Sequence, residues 1–320
     1  MTPILATIVT LHNLATHPAA QAAGTVKITH VQAVLLALLQ GVAELFPVSS
    51  LGHTVILPKM LGWNINQHST SFLPFVVALH LGTGIALVVY FWRDWVAIVT
   101  PMLQSIQRGS MGNDPEERLG WLVCAGTLPP AIIAVFFEAK VRDFFADPKI
   151  AAAFLVVNGF ILFFGERLRV RANAALATAS GGASVDLRTP RPISTLTWTE
   201  AIIVGGSQAL ALLPGISRSG VTMVAGLATG LTHEASARFA FLLATPIILG
   251  AAVLEIPALF SAEGRPLLGD AILGGVIAGI AAFISVRFLM RYFTVGKLTP
   301  FAYYCWAAGG LALVVLSVRG

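Results

Sequence analysis

Six stretches of this 320-residue chain are apolar over close to the length that carries a helix across a bilayer: Phe72–Trp92, Leu119–Phe137, Ile150–Gly165, Ala235–Glu255, Ala271–Met290 and Phe301–Val318, the third being the shortest. No other feature narrows the fold as much. In lipid a backbone must satisfy its own hydrogen bonds, so only helices and closed barrels cross, and a run of about 20 apolar residues is helix length rather than barrel-strand length. Composition points to the same solvent: 56% of residues are hydrophobic and 11% charged, whereas a soluble domain carries about 25% charged residues.

Two further apolar stretches, Val31–Met60 and Thr197–Leu231, are long enough to cross, yet each is interrupted midway by proline and a cluster of serine, glycine and charge. Broken backbone at membrane depth persists only where protein buries it or where it lines a cavity. Both read as re-entrant helix–turn–helix hairpins. The expected fold is therefore all-α and membrane-embedded, with six transmembrane helices and two re-entrant helical hairpins.

Charge orients the chain. The loops Arg93–Arg118 and Glu166–Leu196 are basic, the second holding Arg167, Arg169, Arg171, Arg188 and Arg191 against Glu166 and Asp186. The positive-inside rule puts both in the cytoplasm, and this accounts for the net charge of +5 without a nucleic-acid partner. The first hairpin then enters and leaves from outside and the second from the cytoplasm, each followed by three crossings. Three is odd, so the second half is inverted relative to the first, and such inverted repeats place their site near the midplane where the hairpins meet. The division that follows is an N-terminal extension over 1–30, a first repeat over 31–165, a cytoplasmic loop over 166–196 and a second repeat over 197–320. The extension reads as an outer arm, or as a signal peptide with Ala20-Gln21-Ala22 as its small-residue site, although no basic segment precedes its apolar run. Cys124 and Cys305 lie in apolar spans without metal-ligand spacing and read as small buried packing residues.

The polar residues gather at the two breaks. The first reads QGVAELFPVSSLGHT from Gln40 to Thr54, the second LLPGISRSGVT from Leu212 to Thr222, and Gln40–Thr54 weakly resembles Gln208–Thr222. Gln40 and Glu44 are four apart and share a helix face. Pro47 ends that helix and suits the opening turn of the next; Ser49, Ser50 and His53 lie on the opening turns of this second half-helix, whose free backbone N–H groups make an anion site. Pro214 and Gly215 repeat the device ahead of Ser217, Arg218, Ser219 and Thr222. A guanidinium at membrane depth costs about 3 kcal/mol even on insertion scales, so Arg218 requires compensation from Glu44 or from a bound phosphate, whose oxygens match its fork. Ser49, Ser207 and Thr54 are read as hydroxyls bonded to backbone. His80, alone in an apolar span, is read as structural.

These segments resemble the bacterial undecaprenyl-diphosphate phosphatase family, known also for bacitracin resistance. The family's first motif, Glu or Gln then Glu four residues on, followed by Ser and His, is matched by Gln40, Glu44, Ser50 and His53; its second, Pro-Gly-x-Ser-Arg-Ser-Gly-x-Thr, is matched from Pro214 to Thr222. Gln40 departs from the many members that carry glutamate there. The resemblance implies a multi-pass protein of the bacterial cytoplasmic (inner) membrane that removes the terminal phosphate of undecaprenyl diphosphate at a site open to the periplasm, renewing the lipid carrier of cell-wall synthesis. On that reading Arg218 clamps phosphate with Ser217, Ser219, Thr222 and Ser50. Glu44 and Gln40 hold Mg2+ or Ca2+, Ser50 is nucleophile or water positioner, and His53 is its base or the acid for the leaving group. The alternative is a polyprenyl-phosphate flippase, since inverted repeats with broken helices are also transporter architecture. The expected partners are the polyprenyl lipid, bilayer lipid and a homodimer through Gly-rich faces such as Gly274–Gly279, with close packing inside one chain as the equal alternative.

Overall fold

The structure, a computed structural model, describes residues 28–67, 69, 71–145, 147–179 and 191–319, with only the helical backbone given for 137–145 and 171–179. Residues 1–27, which hold almost all of the N-terminal extension, and 180–190 of the basic loop lie outside the described residues. Every described element is helical: α1 His30–Ala43, α2 Ser50–Met60, α3 Phe72–Tyr90, α4 Trp92–Arg108, α5 Pro115–Phe145, α6 Pro148–Ala179, α7 Trp198–Gly206, α8 Arg218–Ala228, α9 His233–Glu255, α10 Leu268–Tyr292 and α11 Thr299–Arg319, with short 3-10 turns between them.

Six segments are long and apolar enough to span a bilayer, namely Phe72–Tyr90, Pro115–Phe136, Pro148–Val170, His233–Phe260, Arg265–Tyr292 and Thr299–Arg319. They coincide with the six expected runs, and the chain is a multi-pass membrane protein. Their outward faces carry Leu128, Ile132, Phe136, Ile272, Ile280 and Ile284, all exposed, as lipid rather than water requires. The third run is a longer helix than its apolar core suggests. It continues through Ala179, so the segment read as a cytoplasmic loop from 166 begins as helix.

The basic loop after α3 also holds an element that hydropathy did not show. In α4 only Ile98 and Ser105 are buried, while Trp92, Val96, Leu103 and Ile106 are exposed, and the helix is amphipathic rather than spanning. Cys305 is buried as expected, but Cys124 is exposed, because it lies on the outward side of α5. The Gly-rich stretch of α10 is spent within the chain: a Cβ on Gly82 of α3 would fall 1.9 Å from the Gly275 carbonyl oxygen, and one on Gly279 would fall 3.0 Å from that of Gly82.

Between the spans lie the two broken units, α1–α2 and α7–α8, and both open in the same way. Thr29 receives the Gln32 N–H while its own N–H bonds the Gln32 side chain, and Thr197 and Glu200 repeat that capping box. α1 packs on α10, α7 on α5, and both second half-helices, α2 and α8, pack on α6. Thus α6 brings the two breaks together.

Candidate functional site

Each break places an N-cap serine ahead of its second half-helix. Ser49 accepts from the Gly52 N–H at 3.2 Å and Ser217 from the Gly220 N–H at 3.1 Å, which satisfies a donor that the helix start would otherwise leave bare. The chain turns sharply to reach these caps. At the first break the turn falls on Ser49 itself, at φ 68°, the one non-glycine residue with positive φ among those described; at the second it falls on Gly215, at φ 99°. A Cβ on Gly215 would lie 2.2 Å from the Ala151 carbonyl oxygen of α6, and one on Gly52 would lie 2.8 Å from the Gly215 Cα. The two breaks therefore touch backbone to backbone.

Asn158 of α6, fully buried, ties them. Its Nδ2 donates to the Pro47 carbonyl at 3.0 Å and its Oδ1 accepts from the Ser217 N–H at 3.0 Å. Ser219 adds a second tie, donating to the Phe46 carbonyl at 3.2 Å.

The juncture leaves a cavity of about 170 Å³. Its polar side presents Glu44, Ser49, Ser50, His80, Gln208 and Arg218, and its apolar side is formed by α5, α9 and the 3-10 turn after α7. Glu44, the C-cap of α1, is the hub. Its Oε1 receives Nη2 of Arg218. Its Oε2 accepts from the Ser50 hydroxyl and from Gln40 Nε2 at 3.0 Å, and lies 3.3 Å from Nε2 of His80. The compensation that Arg218 requires thus comes from Glu44. One carboxylate, one guanidinium and a hydroxyl that donates to the carboxylate stand in one polar recess at the meeting point of the breaks.

The remaining expected residues are placed differently. His53 does not line this cavity; its Nδ1 bonds the Ser49 carbonyl at 2.7 Å and its Nε2 the Tyr304 hydroxyl at 2.9 Å. Thr222 bonds the Arg218 carbonyl of its own helix at 2.7 Å. Ser217 lines the cavity, 3.1 Å from the Ser219 hydroxyl. The Gln40 amide oxygen is buried and has no hydrogen-bond partner among the described residues. Thr54 and Ser207, read as backbone-bonded, do bond the Ser50 and Val204 carbonyls.

Three residues were missed or passed over. His80 is not an isolated packing histidine: Nδ1 donates to the Val76 carbonyl at 2.9 Å, which turns Nε2 to Glu44. Asn158 and Gln208 carry no motif. The signal available for all three is a lone polar side chain in an apolar stretch, which at bilayer depth faces the bundle interior.

The Bacitracin resistance protein BacA family model matches residues 33–311, nearly all of the described chain. The chain belongs to the BacA family. Among curated proteins it is 43% identical over 305 residues to an undecaprenyl-diphosphatase of Mycolicibacterium paratuberculosis, covering 92% of this chain and 100% of that protein. It is 48% identical over 290 residues to one from Acidiphilium cryptum, covering 89% and 97%. It is also 48% identical over 296 residues to one from Granulibacter bethesdensis, covering 89% and 96%. The BacA match spans both breaks, and with them every residue that lines the polar side of the cavity.

Proposed function

We infer that this chain is a membrane hydrolase that cleaves undecaprenyl diphosphate to undecaprenyl phosphate and inorganic phosphate, renewing a lipid carrier of cell-wall synthesis. The observation that carries the chemistry is the Ser50 hydroxyl donating to a carboxylate that Arg218 also grips. Transport of a lipid phosphate needs positive potential but no nucleophile aligned with a base, and relatives over nearly the whole chain bear the diphosphatase name.

In the proposed mechanism Glu44 takes the Ser50 proton as Oγ attacks the terminal phosphorus. The bond from phosphorus to the bridging oxygen breaks, its electron pair leaves with the lipid phosphate, and the proton held on Glu44 follows it. Arg218 passes from Glu44 to the phosphate oxygens, where its fork binds in pairs, and Ser217 assists from the same wall. Ser219 and Thr222 act through the frame they fix. The base role goes to Glu44, and His53 positions the strained turn by holding the Ser49 carbonyl.

The oxygens of Glu44, Gln40 and Ser50 suit a hard cation; Gln40 does not line the cavity, and its buried oxygen has no hydrogen-bond partner among the described residues. Among the described residues no cluster of three or more His, Cys, Asp or Glu is disposed for a metal. Were Mg2+ or Ca2+ to bind here, the oxygens of Glu44 and Ser50 would hold it, with Gln40 beside them, and it would supply charge neutralisation.

The broken units are read as re-entrant hairpins of an inverted repeat, in the bacterial cytoplasmic membrane, with the cavity reached from the periplasmic side. Their shared capping box and shared N-cap serine support a common origin, and the basic loops support the orientation. Purified protein in detergent micelles is expected to release phosphate from undecaprenyl diphosphate, since hydrolysis needs no sealed compartment. A transporter would release none. A folded Ser50→Ala protein working at the parental rate would overturn the nucleophile.

A further inference from the structure

Two bonds hold the His53 ring. Its Nδ1 lies 2.7 Å from the Ser49 carbonyl, and a carbonyl oxygen only accepts, so the ring proton sits on Nδ1. In the neutral imidazole Nε2 is then the acceptor. It faces the Tyr304 hydroxyl at 2.9 Å, which donates to it. The two rings lie nearly parallel, 17° apart in plane and 5.7 Å between centroids.

Each end of this chain of bonds is anchored to something the site depends on. Tyr304 is exposed on α11, but Cys305 beside it is fully buried, with Sγ 3.3 Å from Nδ2 of Asn158, the α6 side chain that ties the two breaks. At the other end stands Ser49, at φ 68°, directly before Ser50, whose hydroxyl donates to Glu44. A non-glycine residue persists in that region only where its surroundings over-determine it. Tyr304 and His53 supply such a constraint from a helix outside both breaks.

We propose that Tyr304 is a positioning residue for the hydrolysis: its hydroxyl keeps the His53 proton on Nδ1, and the bond from Nδ1 holds the Ser49 turn so that Ser50 Oγ stays on Glu44. The inference rests on the reading of Ser50 as nucleophile and goes beyond it. Which imidazole nitrogen carries the proton is set by the bond the other one makes. Without the Tyr304 hydroxyl the proton is free to move to Nε2. Nδ1 then turns a lone pair to the Ser49 carbonyl, two acceptors face each other, and the turn loses its hold. Tyr304 touches none of the reacting groups, so its effect falls on kcat rather than on binding. Tyr303, next to it, packs on Trp306 instead.

The test uses the full chain in detergent with undecaprenyl diphosphate, at equal amounts of folded protein. Tyr304→Phe deletes one oxygen and keeps the ring. Its kcat is expected to fall on the order of tenfold, short of the roughly 100-fold of a reactant misplaced by about 1 Å, with KM changed by less than about twofold. Tyr303→Phe is expected to keep the parental kcat. Added to His53→Ala, Tyr304→Phe is expected to cost less than about twofold more, because it acts only through that ring. Nitrogen-15 spectra of histidine-labelled protein, with the His53 signals assigned by their loss in His53→Ala, are expected to show the proton on Nδ1 in the parent and a shift toward Nε2 in Tyr304→Phe. A parental kcat in Tyr304→Phe, a loss expressed in KM, losses that multiply with His53→Ala, or an unchanged tautomer overturns the proposal. A parent ring protonated on Nε2 overturns it whether or not the phenylalanine protein folds. Failure of the hydrolase reading is separately visible, since the parent would then release no phosphate, and failure of Ser50 as nucleophile would show as a parental rate in Ser50→Ala.

Discussion

The two broken units agree position for position and differ where the chemistry lies. Thr29 and Thr197 start both with a capping box, Gln40 and Gln208 follow at the same spacing, Ser49 and Ser217 cap both second half-helices, and Gly52 and Gly220 supply the capped N–H groups. In that register Glu44 stands opposite Leu212 and Ser50 opposite Arg218. On the proposed mechanism a shared backbone device has thus been divided: the first unit would hold base and nucleophile, and the second holds the guanidinium. Their turns differ as well. The second uses Gly215, which adopts its positive φ at no steric cost, whereas the first places Ser49 in a region that costs about 1–3 kcal/mol and is found mostly at functional sites. On that mechanism the first unit is the reactive half, and the second is the frame and clamp.

That division can be broken most sharply in the first unit. Ser50→Ala and Glu44→Gln are each expected to lower kcat on the order of 1000-fold, the range of a lost nucleophile or base, measured as phosphate release from equal amounts of folded protein. In the second unit Arg218→Lys keeps the charge and loses the fork, so a loss on the order of 100-fold is expected. If lysine serves equally well, Arg218 contributes charge alone.

Stability sharpens the contrast between the turns. Gly215→Ala forces a Cβ onto the Ala151 carbonyl and is expected to cost about 3 kcal/mol or more in a denaturation series. Ser49→Gly removes strain at the loss of only a weak cap, and a gain of up to about 1 kcal/mol is expected, together with lower turnover. A destabilised Ser49→Gly protein would show that the first turn is not strained. The smallest effect is assigned to Thr222→Val: its hydroxyl serves its own helix, and phosphate release is expected to change by less than about threefold, in line with the roughly 0.6 kcal/mol typical of such bonds in membranes.

Hydropathy alone gave the six spans within a few residues, because lipid leaves a helix few alternatives, and the breaks were legible as proline beside clustered hydroxyls. What stayed hidden depends on partners far along the chain. His80 meets Glu44 only because α3 packs beside α1, and Asn158 is useful only where Pro47 and Ser217 converge on α6. His53 follows Ser50 by three residues on one half-helix, yet that spacing does not say which neighbour the side chain meets, and His53 meets Tyr304 of α11. α4 escaped notice because its apolar residues form a stripe rather than a run, which a window average erases.

The proposed chemistry depends most on Glu44 and Arg218 acting as one unit across the two breaks. The direct test is phosphate release by Glu44→Gln, Arg218→Lys and the double variant, compared as a double-mutant cycle. Coupled residues predict that the double variant loses little more than the worse single variant. Losses that multiply, as they do for distant and independent sites, would contradict a shared site.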